Sequence, residues 1–505
     1  MNHLVIAPVL LPLLAGILLL LLHRQGVVPR RIMSVAAVLG QIGLALELLA
    51  AVGGGEILVY AVGNWPSPFG IVLVADRLAA WMLLVTALLS LFALLYALRG
   101  IDGAGRHFHI LFQLQLFGLN GAFLTGDLFN LFVFFEVLLL ASYGLLLHGG
   151  GRQRTRAGLH FVVVNLAGST LFLFAVGTLY GVLGTLNMAD LAVKAAAMAP
   201  ENAAPVRAAG LLLFGVFALK AALLPLYLWL PAAYAATSAP VAALFAIMTK
   251  VGAYAILRVY TLIFGAGAGA AANLIEPWLL PLALLTLAAG TLGALAAATL
   301  RQQAAYLVVA SVGSLLTAFG LNSAAGVAAG LYYLPHTTFA AAALFLLADA
   351  IAVRRSGMDD RLEPGPAIAS PRLLGGLFFI CALLMVGLPP LSGFLGKFLL
   401  LRAALQHGAL PWVMGAVLLA GLLGMIALAR SGSLMFYRVH PKEMADTAEQ
   451  APPVVGEIVP IIGLLLLCLA LTIWAGAATD FARVTAAQLL QPSQYIHAVL
   501  GKGEP

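Results

Sequence analysis

The sequence predicts an all-α integral membrane protein with about fourteen transmembrane helices. Three observations carry that expectation. The 505 residues are 63% hydrophobic and only 9% charged, with a mean hydropathy of +1.06, whereas a soluble chain is about 25% charged. Apolar runs of about 20 residues recur along the whole chain, the length that crosses a bilayer as a helix rather than as a barrel strand. Lysine and arginine lie mainly between those runs.

In order, the first span is 3–22, within "MNHLVIAPVLLPLLAGILLLLLHR". It lacks a basic leader and a clear small-residue cleavage site, so it reads as a retained helix rather than a cleaved signal. Spans two and three cover 33–53 and 73–98 and complete an N-terminal region, 1–107. Spans four to eight, 108–125, 129–148, 157–183, 208–229 and 238–261, make up 108–261. Spans nine to thirteen, 277–299, 304–321, 326–350, 374–402 and 411–436, make up 277–436. Span fourteen, 456–476, opens the last region, 456–505. Segments near 184–207 and 351–373 read as linkers, and no extramembrane segment is long enough for a domain. The 53 glycines and many alanines suit close helix packing in lipid.

The basic residues orient this arrangement. With the N-terminus outside, the odd-numbered loops face the cytoplasm and hold sixteen of the 26 Lys and Arg, from Arg24 to Lys442. Lys194, Arg207, Arg258 and Arg402 fall in even loops, and Arg483 and Lys502 in the tail. That bias places both termini on the outer side of the membrane. One loop, near 230–238, should be cytoplasmic and carries no charge. The net charge of +7 reflects orientation among lipids, so no nucleic-acid partner is expected. Cys381 and Cys468 sit inside apolar runs and offer neither a disulfide framework nor metal spacing.

Four positive residue positions remain, and three are lysines inside spans. Glu136 lies within "FNLFVFFEVLLLASYGLLL", Lys220 within "FGVFALKAALLPLYLWLP", Lys250 within "LFAIMTKVGAYAILR", and Lys397 within "GLPPLSGFLGKFLLLR"; His336 lies within "LYYLPHTTFAAAALF". Ionisable groups at such depth are expensive and mark ion or proton pathways. Glu136 is the natural partner of Lys220, two spans away. A lysine balanced between desolvation and a carboxylate can gain and lose a proton; the bland alternative is a fixed ion pair that locks two helices. Lys250 has no local acid and reads as a relay, against a snorkelling lysine. His336 follows Pro335 and is either a proton carrier or bonded to a freed backbone carbonyl. Lys397 is either a proton exit or a snorkelling side chain. Tyr143, seven residues after Glu136, shares its helix face and can bond it. Asp127 stands at a helix start, where an acid is favoured. Asp76 and Arg77 read as structural, Asp349 as interfacial, and Glu47 as a residue without an obvious partner, as well suited to a subunit contact as to function.

"PLYLWLP" from Pro225 and "PLSGFLG" from Pro390 form a faint repeat 165 residues apart. Five spans separate them, an odd number, so two such units would sit inverted. Each puts proline inside a long apolar segment, which breaks a helix, and paired broken helices point to a transporter's ion site. There is no Walker motif, no GxGxxG in context, no Cys cluster and no haem-type His pair. The chain therefore reads as a transporter subunit without a cofactor rather than an enzyme.

The pieces "TGDLFNLFVFFEVLLLASY", "KAALLPLYLWLPAAYAATSAPVAALFAIMTKVGAYAILR" and "GLPPLSGFLGKF" resemble the antiporter-like subunits shared by Mrp-type cation/proton antiporters and respiratory complex I. The first piece is most similar to the D-subunit (Pha/Mnh-type) branch. The resemblance spans helices 3 to 13. It implies inverted five-helix units, helices 4–8 and 9–13, with helices 7 and 12 broken. It also implies a Glu136–Lys220 ion pair in one half-channel, Lys250 and His336 along a hydrated axis, and Lys397 gating the second half-channel. Many relatives carry a lysine about five residues after the His336 position, where this chain has Ala341. Partner subunits of a hetero-oligomer, with protons and Na⁺ or K⁺ as cargo, follow from the same resemblance. Two alternatives stay open: a proton-pumping subunit of a redox complex, and a scaffold with vestigial charges.

Overall fold

A computed structural model describes residues 3–22, 26–355, 357–438 and 454–501; Arg24, Lys442 and Lys502 of the charge count lie outside them. The helices are α1 Ala7–Leu21, α2 Val27–Val52, α3 Arg77–Ala97, α4 Phe108–Leu124, α5 Leu128–Leu147, α6 Arg152–Leu183, α7 Met188–Ala196, α8 Ala203–Ala221, α9 Trp229–Ala236, α10 Ala239–Phe245 and α11 Met248–Leu262. The second half adds α12 Glu276–Ala296, α13 Leu300–Gly320, α14 Ala324–Ala352, α15 Pro371–Val386, α16 Ser392–Ala404, α17 Leu410–Gly432, α18 Val455–Ile473, α19 Ala475–Leu489 and α20 Pro492–Leu500. Among the described residues, eleven helical segments are long and apolar enough to cross a membrane, and α1, α4 and α15 are shorter apolar helices.

Helices that are apolar all round belong in a protein interior or a membrane. Here α10, α11, α13 and α14 are buried nearly throughout, while α2, α6 and α17 keep leucines such as Leu46, Leu166 and Leu418 exposed. Small residues set the closest approaches. A Cβ on Gly290 would lie 2.3 Å from Ala310 N, and one on Gly313 would lie 2.4 Å from Leu287 N, so α12 and α13 touch backbone to backbone. Asp127 caps α5 as its position predicts, accepting from Asn130 N at 2.8 Å.

Several expectations need correction. The all-α class stands, with one short hairpin added: β1, Leu58–Ala61, pairs antiparallel with β2, Val72–Ala75, so the third span begins later than residue 73. In sequence, Leu73 and Val74 read as the start of the third span; β-branched and branched aliphatic side chains suit a pleated surface, and Asp76 ends the strand by capping α3 through Ala79 N. The 184–207 linker contains α7, the uncharged 230–238 loop is mostly α9, and the tail after 476 forms α19 and α20. Arg258 is no loop residue: it is 3% exposed on α11 and forks onto Asp76 at 2.6 and 2.7 Å. Asp349, near the end of α14, accepts from Tyr96 Oη at 2.9 Å and Arg301 Nη2 at 3.0 Å. Glu47 is exposed on α2.

These contacts define two ends. Arg31 with Asp102, Arg301 with Asp349, and Arg354 and Arg99 with Glu457 gather at one arginine-rich end. The hairpin lies at the other, where Leu73 bridges Thr125 and Ser67 Oγ donates to Val499 O at 2.6 Å. Between the ends, two helix pairs are interrupted. Residues 222–228 separate α8 from α9, and 387–391 separate α15 from α16. Both breaks carry the prolines singled out in the sequence, Pro225 and Pro390, which supply no N–H to the ladder.

Candidate functional site

The first break positions Lys220. It occupies the last turn of α8, is 5% exposed, and precedes Ala222, whose φ of 60° ends the helix. Side chains brace the break: Leu224 N donates to Thr286 Oγ1 at 2.9 Å, and Trp229 Nε1 donates to Leu219 O at 3.1 Å. The Lys220 amine is left for a side-chain partner. That partner is Asn165 on α6, through Oδ1 at 3.1 Å and the backbone oxygen at 3.4 Å.

Glu136 lies half-buried in the middle of α5 and accepts a hydrogen bond from Ser169 Oγ, also on α6. The expected direct ion pair between Glu136 and Lys220 is not formed. The two charges interact electrostatically, but each is held by a neutral group on α6. The reason is geometric: α6 runs between α5 and α8 and offers polar atoms one turn apart. Tyr143 does not bond Glu136 either; its ring packs edge-on against Phe161, 5.5 Å between centroids.

Lys250 stands in the first turn of α11, just beyond the irregular step from α10, and is 0% exposed. Among the described residues its Nζ has no hydrogen-bond partner, and neither does the hydroxyl of neighbouring Thr249 or of Thr337 on α14. A buried unpaired amine is costly, and such atoms mark places that water or a charge can occupy.

His336, 1% exposed on α14, sits 2.9 Å from Ser392 Oγ through Nδ1, and Ser392 opens α16 directly after the second break. It is thus bonded to a hydroxyl and also to the backbone oxygen of Leu384, a carbonyl in the last turn of α15 beside the break. Lys397, one turn further along α16, takes the freed carbonyl: its Nζ donates to Val386 O at 2.6 Å. His336 and Lys397 share a cavity of about 30 Å³ with Ser311, Ser314, Tyr333 and Thr337, polar and large enough for a water. Electrostatic contact links His336 to both Lys397 and Lys250. Ala341 is fully buried among alanines and adds no polar group there.

The five singled-out residues therefore fall into two clusters with Lys250 as a third, separate amine. Asn165, Ser169 and Ser392 complete the clusters and escape a reading of the sequence alone. They are neutral, so a search for charge passes over them; their one signal is a polar side chain inside an apolar span. Among the described residues no group of three or more His, Cys, Asp or Glu could hold a metal.

Residues 125–424 match the family model described as "NADH:quinone oxidoreductase/Mrp antiporter, TM". The chain is 43% identical to the D-subunit of a probable K(+)/H(+) antiporter of Rhizobium meliloti, over 99% of this chain and 98% of that one. It is 38% identical to the D-subunit of the Na(+)/H(+) antiporter of Alkalihalophilus pseudofirmus, over 99% and 100%. A chain in the Mrp complex of Dietzia sp. DQ12-45-1b superposes with a TM-score of 0.88 at 30% identity, covering 99% of this chain and all of that one. This chain belongs to the D-subunit family of Mrp-type cation/proton antiporters, in the superfamily that also supplies membrane subunits of NADH:quinone oxidoreductase.

Proposed function

We propose that the chain is the proton-conducting membrane subunit of a multisubunit Na⁺ or K⁺/H⁺ antiporter in a bacterial inner membrane. Protons pass along Glu136, Lys220, Lys250, His336 and Lys397. The observation that carries this reading is the placement of the amines. Lys220 and Lys397 each lie at a break in a membrane helix, and Lys250 lies unpaired between them. Each buried charge costs about 2.5–3.5 kcal/mol even on the lenient insertion scale, a standing cost that a scaffold has no reason to keep. Neighbouring sites that titrate together pass a change of charge along the line, and that is the coupling an antiporter needs.

In this reading the eleven long spans and three shorter apolar helices make fourteen crossings with both termini outside. Regions 108–261 and 277–436 are inverted five-helix units, flanked by 1–107 and 456–505. Supporting the inversion, α8 runs from the hairpin end toward its break, whereas α15 runs toward its break from the arginine-rich end. The cation is one of the two named for the relatives and crosses in a partner subunit.

The deciding experiment replaces Lys220 by Ala, confirms assembly of the complex, and measures cation-dependent proton movement in everted vesicles. Exchange should be abolished. Undiminished exchange would sink the proton path.

A further inference from the structure

α6 carries no charge near the pair, yet among the described residues the side-chain hydrogen bonds that hold Glu136 and Lys220 in place come from it. Asn165 and Ser169 are four residues apart, one turn, on the same helix face. The amide of Asn165 has a fixed sense: its Nδ2 donates to Phe161 O at 2.9 Å, which leaves Oδ1 facing the Lys220 amine at 3.1 Å. Ser169 Oγ donates to the Glu136 carboxylate. Between them stands Gly168. A Cβ there would lie 3.7 Å from Lys220 Nζ and 2.5 Å from Leu219 Cδ2. The amine therefore already lies beside a residue of α6 that presents no side chain, next to the serine that holds the carboxylate.

We propose that Asn165 and Ser169 are positioning residues of the first half-site: α6 parks Lys220 on Asn165 and Glu136 on Ser169, one turn apart, and Gly168 leaves the gap through which the amine crosses to the carboxylate. The crossing is a rotation within the long lysine side chain, whose amine is bonded to Asn165 of α6 and to no carbonyl of its own broken helix. Asn165 defines the parted state and Ser169 the receiving one. This inference rests on the proton path proposed above.

The test uses the whole complex in everted vesicles, with assembly checked by blotting, and reads maximal antiport rate and cation KM separately. Asn165→Ala and Ser169→Ala each remove a hydrogen bond to a charged group, so maximal rate should fall about tenfold. Cation KM should stay within about twofold. Ser169→Thr, which keeps the hydroxyl, should restore most of the rate. Gly168→Ala should lower the rate as Asn165→Ala does. Glu136→Ala and Lys220→Ala run alongside: full activity in those two would overturn the proton path itself, and with it this role for α6. If those two are inactive while Asn165→Ala and Ser169→Ala run at the normal rate, the assignment to α6 is wrong and the path stands. Equal changes in rate and KM, with no rescue by threonine, would show a merely structural role and overturn the assignment as well.

Discussion

Gly252→Ala probes the contact between the two helices that carry Lys220 and Lys250. Gly252 lies on α11, two residues after Lys250. A Cβ there would fall 2.4 Å from Ala221 N, 2.7 Å from Lys220 C and 2.8 Å from Ala221 Cα. All three are backbone atoms, so no side-chain rotation relieves the overlap. Bringing the nearest contact to an ordinary 3.4 Å requires α8 to withdraw by about 1 Å, at an overpacking cost of about 1–3 kcal/mol. Lys220 would withdraw with it from Lys250, whereas its partner Asn165 belongs to α6. Misplacement by about 1 Å can cost a reacting site about a hundredfold. We expect the antiport rate in everted vesicles, normalised to assembled complex, to fall at least about tenfold, and the purified complex to melt earlier. Gly215→Ala is the internal control: it lies on the same α8, and nothing stands within 4 Å of its added Cβ. It should leave rate and melting unchanged. A wild-type rate in Gly252→Ala, or an equal loss in Gly215→Ala, would refute the claim that this contact sets the spacing.

Arg258→Met should destabilise the complex by about 3–5 kcal/mol, since it strands Asp76 in a site where the pair is 2–4% exposed. Adding Asp76→Asn, which keeps an oxygen for the Ala79 cap, should recover much of that loss in a melting assay. Lys397→Met should leave the complex assembled and reduce proton movement at least about tenfold, by about the worth of one charged hydrogen bond; full exchange would remove Lys397 from the path. At the arginine-rich end, burial by itself would raise the Asp102 carboxyl, but hydrogen bonds from His109 and Arg31 outweigh it and hold the group well below its ordinary 3.8. An acid lowered by folding contributes stability that is full above about pH 4 and is lost as pH falls toward the lowered value. Asp102→Asn should therefore cost about 1–2 kcal/mol at pH 7, with Arg31 partly exposed and screened. Melting compared at pH 7 and pH 3.5 should show that difference shrinking.

The fold is legible in the sequence where a feature repeats or is expensive. Membrane spans show as long apolar runs, and both helix breaks show because proline inside an apolar run has few other meanings. Lys220, Lys250, His336 and Lys397 show because charge in a span is rare. What stays hidden is what depends on neighbours. The α7 helix has too few residues to stand out from a linker. The hairpin hides because Val72–Ala75 continues directly into the apolar run of α3. Arg258 reads like a loop residue because its partner, Asp76, is 182 positions away. Glu136 and Lys220 lie close enough to feel each other's charge, but the sequence holds no sign that α6 stands between them, since Asn165 and Ser169 are unremarkable in isolation.

The two half-sites are not equivalent, and the difference follows from which group repairs each broken helix. In an unbroken helix Val386 O would accept from the N–H of residue 390, which is a proline and has none. Lys397 supplies the missing donor. It cannot leave without orphaning a buried carbonyl, at a cost of about 1–3 kcal/mol. At the first break Lys220 bonds no carbonyl of its own helix: its partner is Asn165 on α6, while Trp229 Nε1 donates to Leu219 O and Leu224 N donates to Thr286 Oγ1. Lys220 can let go of Asn165 without reopening its helix. The amine at the first break is therefore the mobile one, and the amine at the second is latched until something else reaches Val386 O. The 30 Å³ cavity beside Lys397 and His336 has room for a water in that role. On the proposed path, a proton arriving through the mobile end meets, at the latched end, a lysine whose release depends on water entering beside His336.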